Sequence, residues 1–179
     1  IYTLSLHDAL PIFAFLFHSR VLSLEANSYP SSSDEILVDT IAFGSCAKER
    51  LPQPIWDKIA AQNPDLFLFI GDNQYADKWY RDGKLVSAPV MSPERFREAY
   101  STLAAQPSFA RFRSQTPIMA TWDDHDYGAN DQGKDYPLKE ESQRAFLDFF
   151  GFDKEDPIRK QKGIYHSRIV GNQIGRAHV

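Results

Sequence analysis

Between residues 121 and 131 the chain reads TWDDHDYGAND, placing four aspartates and a histidine within eleven positions directly after an apolar run. Carboxylates crowded this way repel one another, and the repulsion grows as water is excluded. Two arrangements relieve it: a solvated loop in which water and salt screen the charges, or a cation that gathers the oxygens. A sequential calcium loop does not fit. With Asp124 in first place, Ala129 falls where glycine belongs and Asp135 where glutamate belongs. For a cation, a discontinuous site remains, with Asp124 or Asp123 as a ligand and His125 beside the metal. An imidazole there would protonate a leaving oxygen or stabilise a phosphoryl oxygen.

Two other short stretches carry chemistry. In GDNQY, Gly71 permits a sharp turn, Asp72 projects from it, and Tyr75 follows three residues on. A carboxylate and a phenolate brought to one point form a hard-donor pair suited to ferric iron, and an aspartate can bridge two ions. Asn73 and Asp77 add further oxygens. In FGSC, Cys46 offers a soft thiolate that a nearby cation would keep deprotonated. The same cysteine could be a nucleophile paired with His125, but no G-x-S-x-G elbow accompanies it, and that pairing leaves the aspartates without a task. As the chain's single cysteine, it builds no intrachain disulfide framework. Three readings follow: a metalloenzyme, a non-catalytic cation-binding module, and a thiol enzyme using Cys46 and His125.

The surrounding sequence must position these groups. Residues 36–43 (ILVDTIAF), 66–70 (LFLFI) and 117–122 (PIMATW) read as strands, and 163–170 (GIYHSRIV) alternates like one. The unbroken apolar run of 66–70 suits a strand buried on both faces. Helices are expected over 54–62, 92–106 with Ser92 as N-cap and Pro93 first, 108–113, and 139–150 with Phe146, Phe149 and Phe150 turned inward. The alternation defines an α/β layered fold. Cys46, Asp72 and the aspartate cluster each follow the carboxyl end of an expected strand, where open α/β sheets bind ligands. Three distant loops would thus meet in one pocket.

Composition narrows the partners. The chain has 179 residues, 42% hydrophobic and 25% charged, with a net charge of −4, an ordinary balance for one globular domain. No run of Lys and Arg occurs, so nucleic acid is not an expected partner. Residues 13–24 are apolar but too short to span a bilayer; with the Ser/Pro/Asn-rich tract after them, 13–35 read as a signal remnant and linker, which points to export. Residues 1–12 and 174–179 resemble translated sequencing adapters, so 13–173 is expected to be native, with 36–173 the N-terminal part of a domain that continues past Gln173.

In order, FGSC, LFLFIGDNQYAD and ATWDDHDYGAND resemble the alkaline phosphatase D family within the calcineurin-like metallophosphoesterases, over roughly residues 38–170. That resemblance implies a layered β-sandwich flanked by helices, of which only the N-terminal part is present. It implies a monomeric phosphomonoesterase or phosphodiesterase acting on a phosphate ester with ferric iron and calcium. Cys46, Asp72 and Tyr75 would hold iron, with Asp72 bridging. Asp123 or Asp124 would be a further ligand, and Asn73 and His125 would meet the substrate, His125 as the catalytic group. The later ligands of that superfamily would lie beyond Gln173, so the chain as it stands is expected to hold half a site and to turn over little.

Overall fold

The computed structural model describes residues 12–15, 38–170 and 176–178. In chain order the first elements are β1 (Ile12–Phe15), β2 (Ile41–Gly44), α1 (Ile55–Ala60), β3 (Leu66–Ile70), β4 (Lys78–Arg81) and β5 (Lys84–Ser87). Then come α2 (Pro93–Ala104), α3 (Pro107–Arg113), β6 (Ile118–Thr121), α4 (Asp124–Tyr127), α5 (Lys139–Phe149), β7 (Ser167–Ile169) and β8 (Arg176–His178). The expected leader and linker, residues 13–35, lie outside the described residues except for residues 13–15 of β1. The adapter-like ends also lie outside them, except Ile12 and the β8 residues.

The fold is mixed α/β. The central sheet has the order β1-β2-β3-β6, with β2, β3 and β6 parallel and β1 antiparallel at the edge. β2 starts later than the pattern of 36–43 suggests, and Asp65 supplies the reason. Its Oδ2 accepts the backbone N–H of Asp39 (3.0 Å) and Thr40 (2.9 Å), diverting both amides from ladder pairing. The expected strand over 163–170 shortens to β7. In that stretch the His166 ring is turned back on the Ile164 carbonyl at 2.7 Å, a local contact that competes with strand pairing.

One face of β3 builds the core. Phe67 and Phe69 point to the same side, as residues two apart on a strand must, and both pack on Trp56 of α1 with ring centroids 5.3 and 5.5 Å away. Phe109 and Phe112 of α3 close the cluster at 5.0 and 5.3 Å from the same indole. The opposite face differs from the expectation of full burial: Leu68 is half-buried and Ile70 is 48% exposed. Trp56 also donates its indole N–H to Gln53 Oε1 at 2.5 Å. Trp56→Phe should cost about 2 kcal/mol of unfolding free energy in a urea titration, from lost ring volume and a stranded buried acceptor; a midpoint equal to wild type would show the cluster to be loosely packed.

The hairpin β4–β5 is absent from the expected elements. Its turn residues Asp82 and Gly83 both have positive φ, 51° and 74°, the backbone that a two-residue hairpin turn requires. An Asp-Gly pair between strand-like runs signals this, and RDGK carries it. None of the described helices is long and apolar enough to cross a membrane.

Candidate metal centre

All three loops open from the carboxyl ends of β2, β3 and β6. After β2, Cys46 adopts φ 62°, and after β3, Asp72 adopts φ 52°, each in a left-handed conformation costing about 1–2 kcal/mol for a residue with a Cβ. Two backbone bonds tie these turns together, Cys46 N–H to Gly71 O at 3.3 Å and Ala47 N–H to Asp72 O at 2.9 Å. Strain held this way at a strand end is a property of functional sites. The result is that one carboxylate oxygen, Asp72 Oδ2, receives both the Cys46 thiol (3.6 Å) and the Tyr75 hydroxyl (2.8 Å). Its other oxygen, Oδ1, is buried with no protein partner.

The aspartate cluster is not a solvated loop. Residues 124–127 form the single turn α4, with Asp123 as N-cap accepting from Asp124 N–H at 3.0 Å. Asp126 completes a capping box by accepting from Asp123 N–H at 3.1 Å. The turn delivers Asp124 and His125 to the pocket: one ligand atom from each of Asp72, Asp124 and His125 lies within 4.8 Å of the others. Asp124 Oδ2 also accepts Asp131 N–H at 2.6 Å, which folds the following loop back on it. Asp123 itself is exposed, its side chain spent on the cap and packed against Gly71.

Behind this front lies a buried layer that joins the loops. Asp126 accepts Asn73 N–H at 3.0 Å, Asn73 Nδ2–H at 3.1 Å and Tyr100 O–H at 3.0 Å, so one carboxylate fastens the turn after β3, the turn after β6 and helix α2. Asn73 is wholly buried, and its amide also donates to Thr121 O at 2.8 Å. Its side-chain donors are therefore committed to the loops, where the sequence suggests a substrate contact. Glu49, also buried, accepts Tyr75 N–H at 3.0 Å. Asp77, likewise buried, lies 2.9 Å from His125 Nδ1, and the Tyr75 ring packs tilted against the imidazole with centroids 4.2 Å apart.

Burial dominates the electrostatics. It raises the Asp72 carboxyl above its usual range, with help from Asp123 and Asp124 and against the Tyr75 hydroxyl and His125. Burial and the Asp72 charge push the Tyr75 phenol far upward, so without a cation it stays protonated and donates. Asp126 is lifted by burial to about 7, even with the Asn73 and Asp123 amides opposing. For His125 burial acts downward, but the hydrogen bond and charge of Asp77, then Asp72, outweigh it and leave the ring raised. Acids held against their preference for water around one point are stabilised by a positive ion.

Gly71 is a tight backbone position beside the centre. Its φ is 111°, and an added Cβ would lie 2.7 Å from Asp123 Cβ. Gly71→Ala should therefore lower stability by about 2 kcal/mol and move Asp72 away from Asp124. The check is a melting curve together with metal uptake; wild-type values for both would remove Gly71 from the account.

Sequence reasoning finds Cys46, Asp72, Tyr75, Asp124 and His125, which the fold gathers. It names Asp77 only as an extra oxygen, and passes over Asp126 and Glu49. For Asp126 a signal existed, since Asp123-x-x-Asp126 has the spacing of a capping box.

The arrangement defines an α/β protein with acidic, thiol and phenol donors converging at the carboxyl ends of parallel strands. Comparison with protein families places residues 41–174 in PhoD-like phosphatase, and the chain belongs to that family. It is similar to a solved structure described as "Structure of PhoD", with 18% identity and a TM-score of 0.54 over 78% of this chain. That likeness supports the fold, and the chain spans 30% of the length of that protein. Comparison with curated proteins finds no match.

Proposed function

We propose that this chain carries the first half of a dinuclear metal centre for phosphoric ester hydrolysis, of the alkaline phosphatase D type. The observation that carries the reading is Asp72: Cys46 and Tyr75 converge on its Oδ2, its Oδ1 is buried without a protein partner, and Asp124 and His125 lie beside it. The donor set fits the ions. The Cys46 thiol, with the Tyr75 phenol and Asp72 carboxyl that burial disfavours as anions, makes a set that a ferric ion would deprotonate and hold, and the oxygens of Asp72 and Asp124 suit calcium. Such ions supply Lewis acidity toward phosphoryl oxygens and ionise water near neutral pH. The chain's own part is to bind and orient: Asp72, Cys46, Tyr75 and Asp124 would hold the ions, and His125 would meet the phosphoryl group beside them. Asp123 acts as the cap that aims Asp124, and Asn73 as the fastening between loops.

Metal uptake tests this apart from turnover. In the whole enzyme loaded with ferric iron, a visible phenolate-to-iron charge-transfer band should appear that vanishes in Tyr75→Phe; a colourless, iron-free enzyme would sink the reading. Where the whole enzyme hydrolyses p-nitrophenyl phosphate, Cys46→Ser should change the metal content and retain some activity. Complete loss with metal intact would favour a thiol enzyme, though both His125 nitrogens face Asp77 and Lys78 rather than Cys46. The apolar face of Leu68 and Ile70 supports the second sheet of a β-sandwich. The apolar segment before the domain supports export.

A further inference from the structure

We propose that Lys78 is the phosphate-anchoring cation of this centre, a role that rests on the phosphoesterase reading above. Lys78 opens β4, and the hairpin sets its stem: its N–H donates to Tyr75 O at 3.0 Å, and it pairs across the ladder with Ser87. From there the side chain turns back over the pocket. Its Nζ lies 3.2 Å from His125 Nε2 and 5.0 Å from the centroid of the Tyr75 ring.

The proton arrangement along this line follows from chemistry. An ammonium only donates, and a neutral ring with its proton on Nδ1, toward Asp77 Oδ2 at 2.9 Å, presents the Nε2 lone pair to it. Asp77, His125 and Lys78 thus form one line from the interior to the pocket, and Asp77 fixes which face of the imidazole the lysine finds. The ring of Tyr75 adds a cation–π contact.

The counter-charge is the telling feature. Among the described residues Lys78 makes no ion pair with a carboxylate, although Asp72 and Asp124 are gathered beside His125. Elsewhere a lysine behaves differently, Lys154 lying 2.7 Å from Asp148. A lysine serving to neutralise the acids would rest on one of them. Lys78 is instead held by an imidazole and a phenol, leaving two N–H donors and its charge for an anion arriving at the Asp72–Asp124 side. A compact point charge suits a terminal phosphate, and the more so the greater the negative charge on it. The substrate class is therefore a phosphate monoester dianion in preference to a diester.

The test compares the whole enzyme in wild-type form with its Lys78→Met, Lys78→Gln and Lys78→Arg variants, each loaded with iron and calcium. Metal content is measured by mass spectrometry and the Kd for inorganic phosphate by calorimetry. Expected are equal metal contents, phosphate binding weakened about tenfold or more in the Met and Gln variants, and near-wild-type binding in the Arg variant. Two neutral variants guard against a misfolded one. Unchanged phosphate affinity in a folded, metal-loaded neutral variant overturns the proposal. So does tighter metal binding with phosphate unaffected, since Lys78 would then merely stand in for a cation. A wild-type whole enzyme that takes up no metal sinks the phosphoesterase reading itself, which is a separate and recognisable failure.

Discussion

Asp72→Asn is expected to reduce iron affinity by at least about a hundredfold, roughly 3 kcal/mol, and to abolish phosphate ester hydrolysis wherever the complete enzyme is assayed. The substitution keeps the shape of the side chain and changes two things. It removes the charge that two ions would share, and it offers an N–H₂ where a ligand oxygen stood. Cys46 and Tyr75 both point at Oδ2, so one of the two oxygens is needed merely to orient them while the other, buried and without a partner, is left for a cation. An amide has only one oxygen. The fold should gain where the site loses: burial raises the Asp72 carboxyl, so holding its charge in the metal-free interior costs stability. The metal-free variant should accordingly melt at or above the wild-type temperature, as sites held against stability do. Dialysis followed by elemental analysis, with a melting curve on each metal-free sample, reads both effects. Wild-type iron retention would place the centre elsewhere.

How much of this was legible depends on whether a feature is local. The apolar runs at Leu66–Ile70 and Ile118–Thr121 and the helix of Pro93–Ala104 show in their periodicity, because burial of one face is written into residue spacing. The polar clusters at the carboxyl ends of the strands were legible for the same reason. What the sequence hid are choices made across distance. That β2 begins at Ile41 depends on Asp65, some 25 positions away. That Asp126 faces inward while Asp123 faces out depends on which side of one helical turn meets Asn73, which four neighbouring acids do not disclose. The reach of Lys78 back to His125 depends on the β4–β5 hairpin, and there the Asp82-Gly83 signal was present but unused.

Asp126→Ala should cost about 4 kcal/mol of stability, among the largest effects of any single change in this chain, although Asp126 is not a ligand in the proposed centre. Among the described residues no Lys, Arg or His makes an ion pair with this buried carboxylate. The N–H groups of Asn73 and Asp123, the Asn73 amide and the Tyr100 hydroxyl offset its burial instead. Removing it strands those donors in the interior, each costing about 1–3 kcal/mol unless water enters. Tyr100→Phe, which removes one donor and leaves the carboxylate, should cost only about 1 kcal/mol. The effect on the centre is indirect but specific: Asp126 joins the turn carrying Asp72 to the turn carrying Asp124, so iron affinity should fall about 10- to 100-fold, as for other residues that orient ligands. A double-mutant cycle with Asn73→Ala separates this from general loosening, because two residues acting through one joint must be strongly non-additive. Additive losses, or an Asp126→Ala chain that melts and binds iron like wild type, would mean that the two loops hold their places without the joint and that the metal itself brings them together.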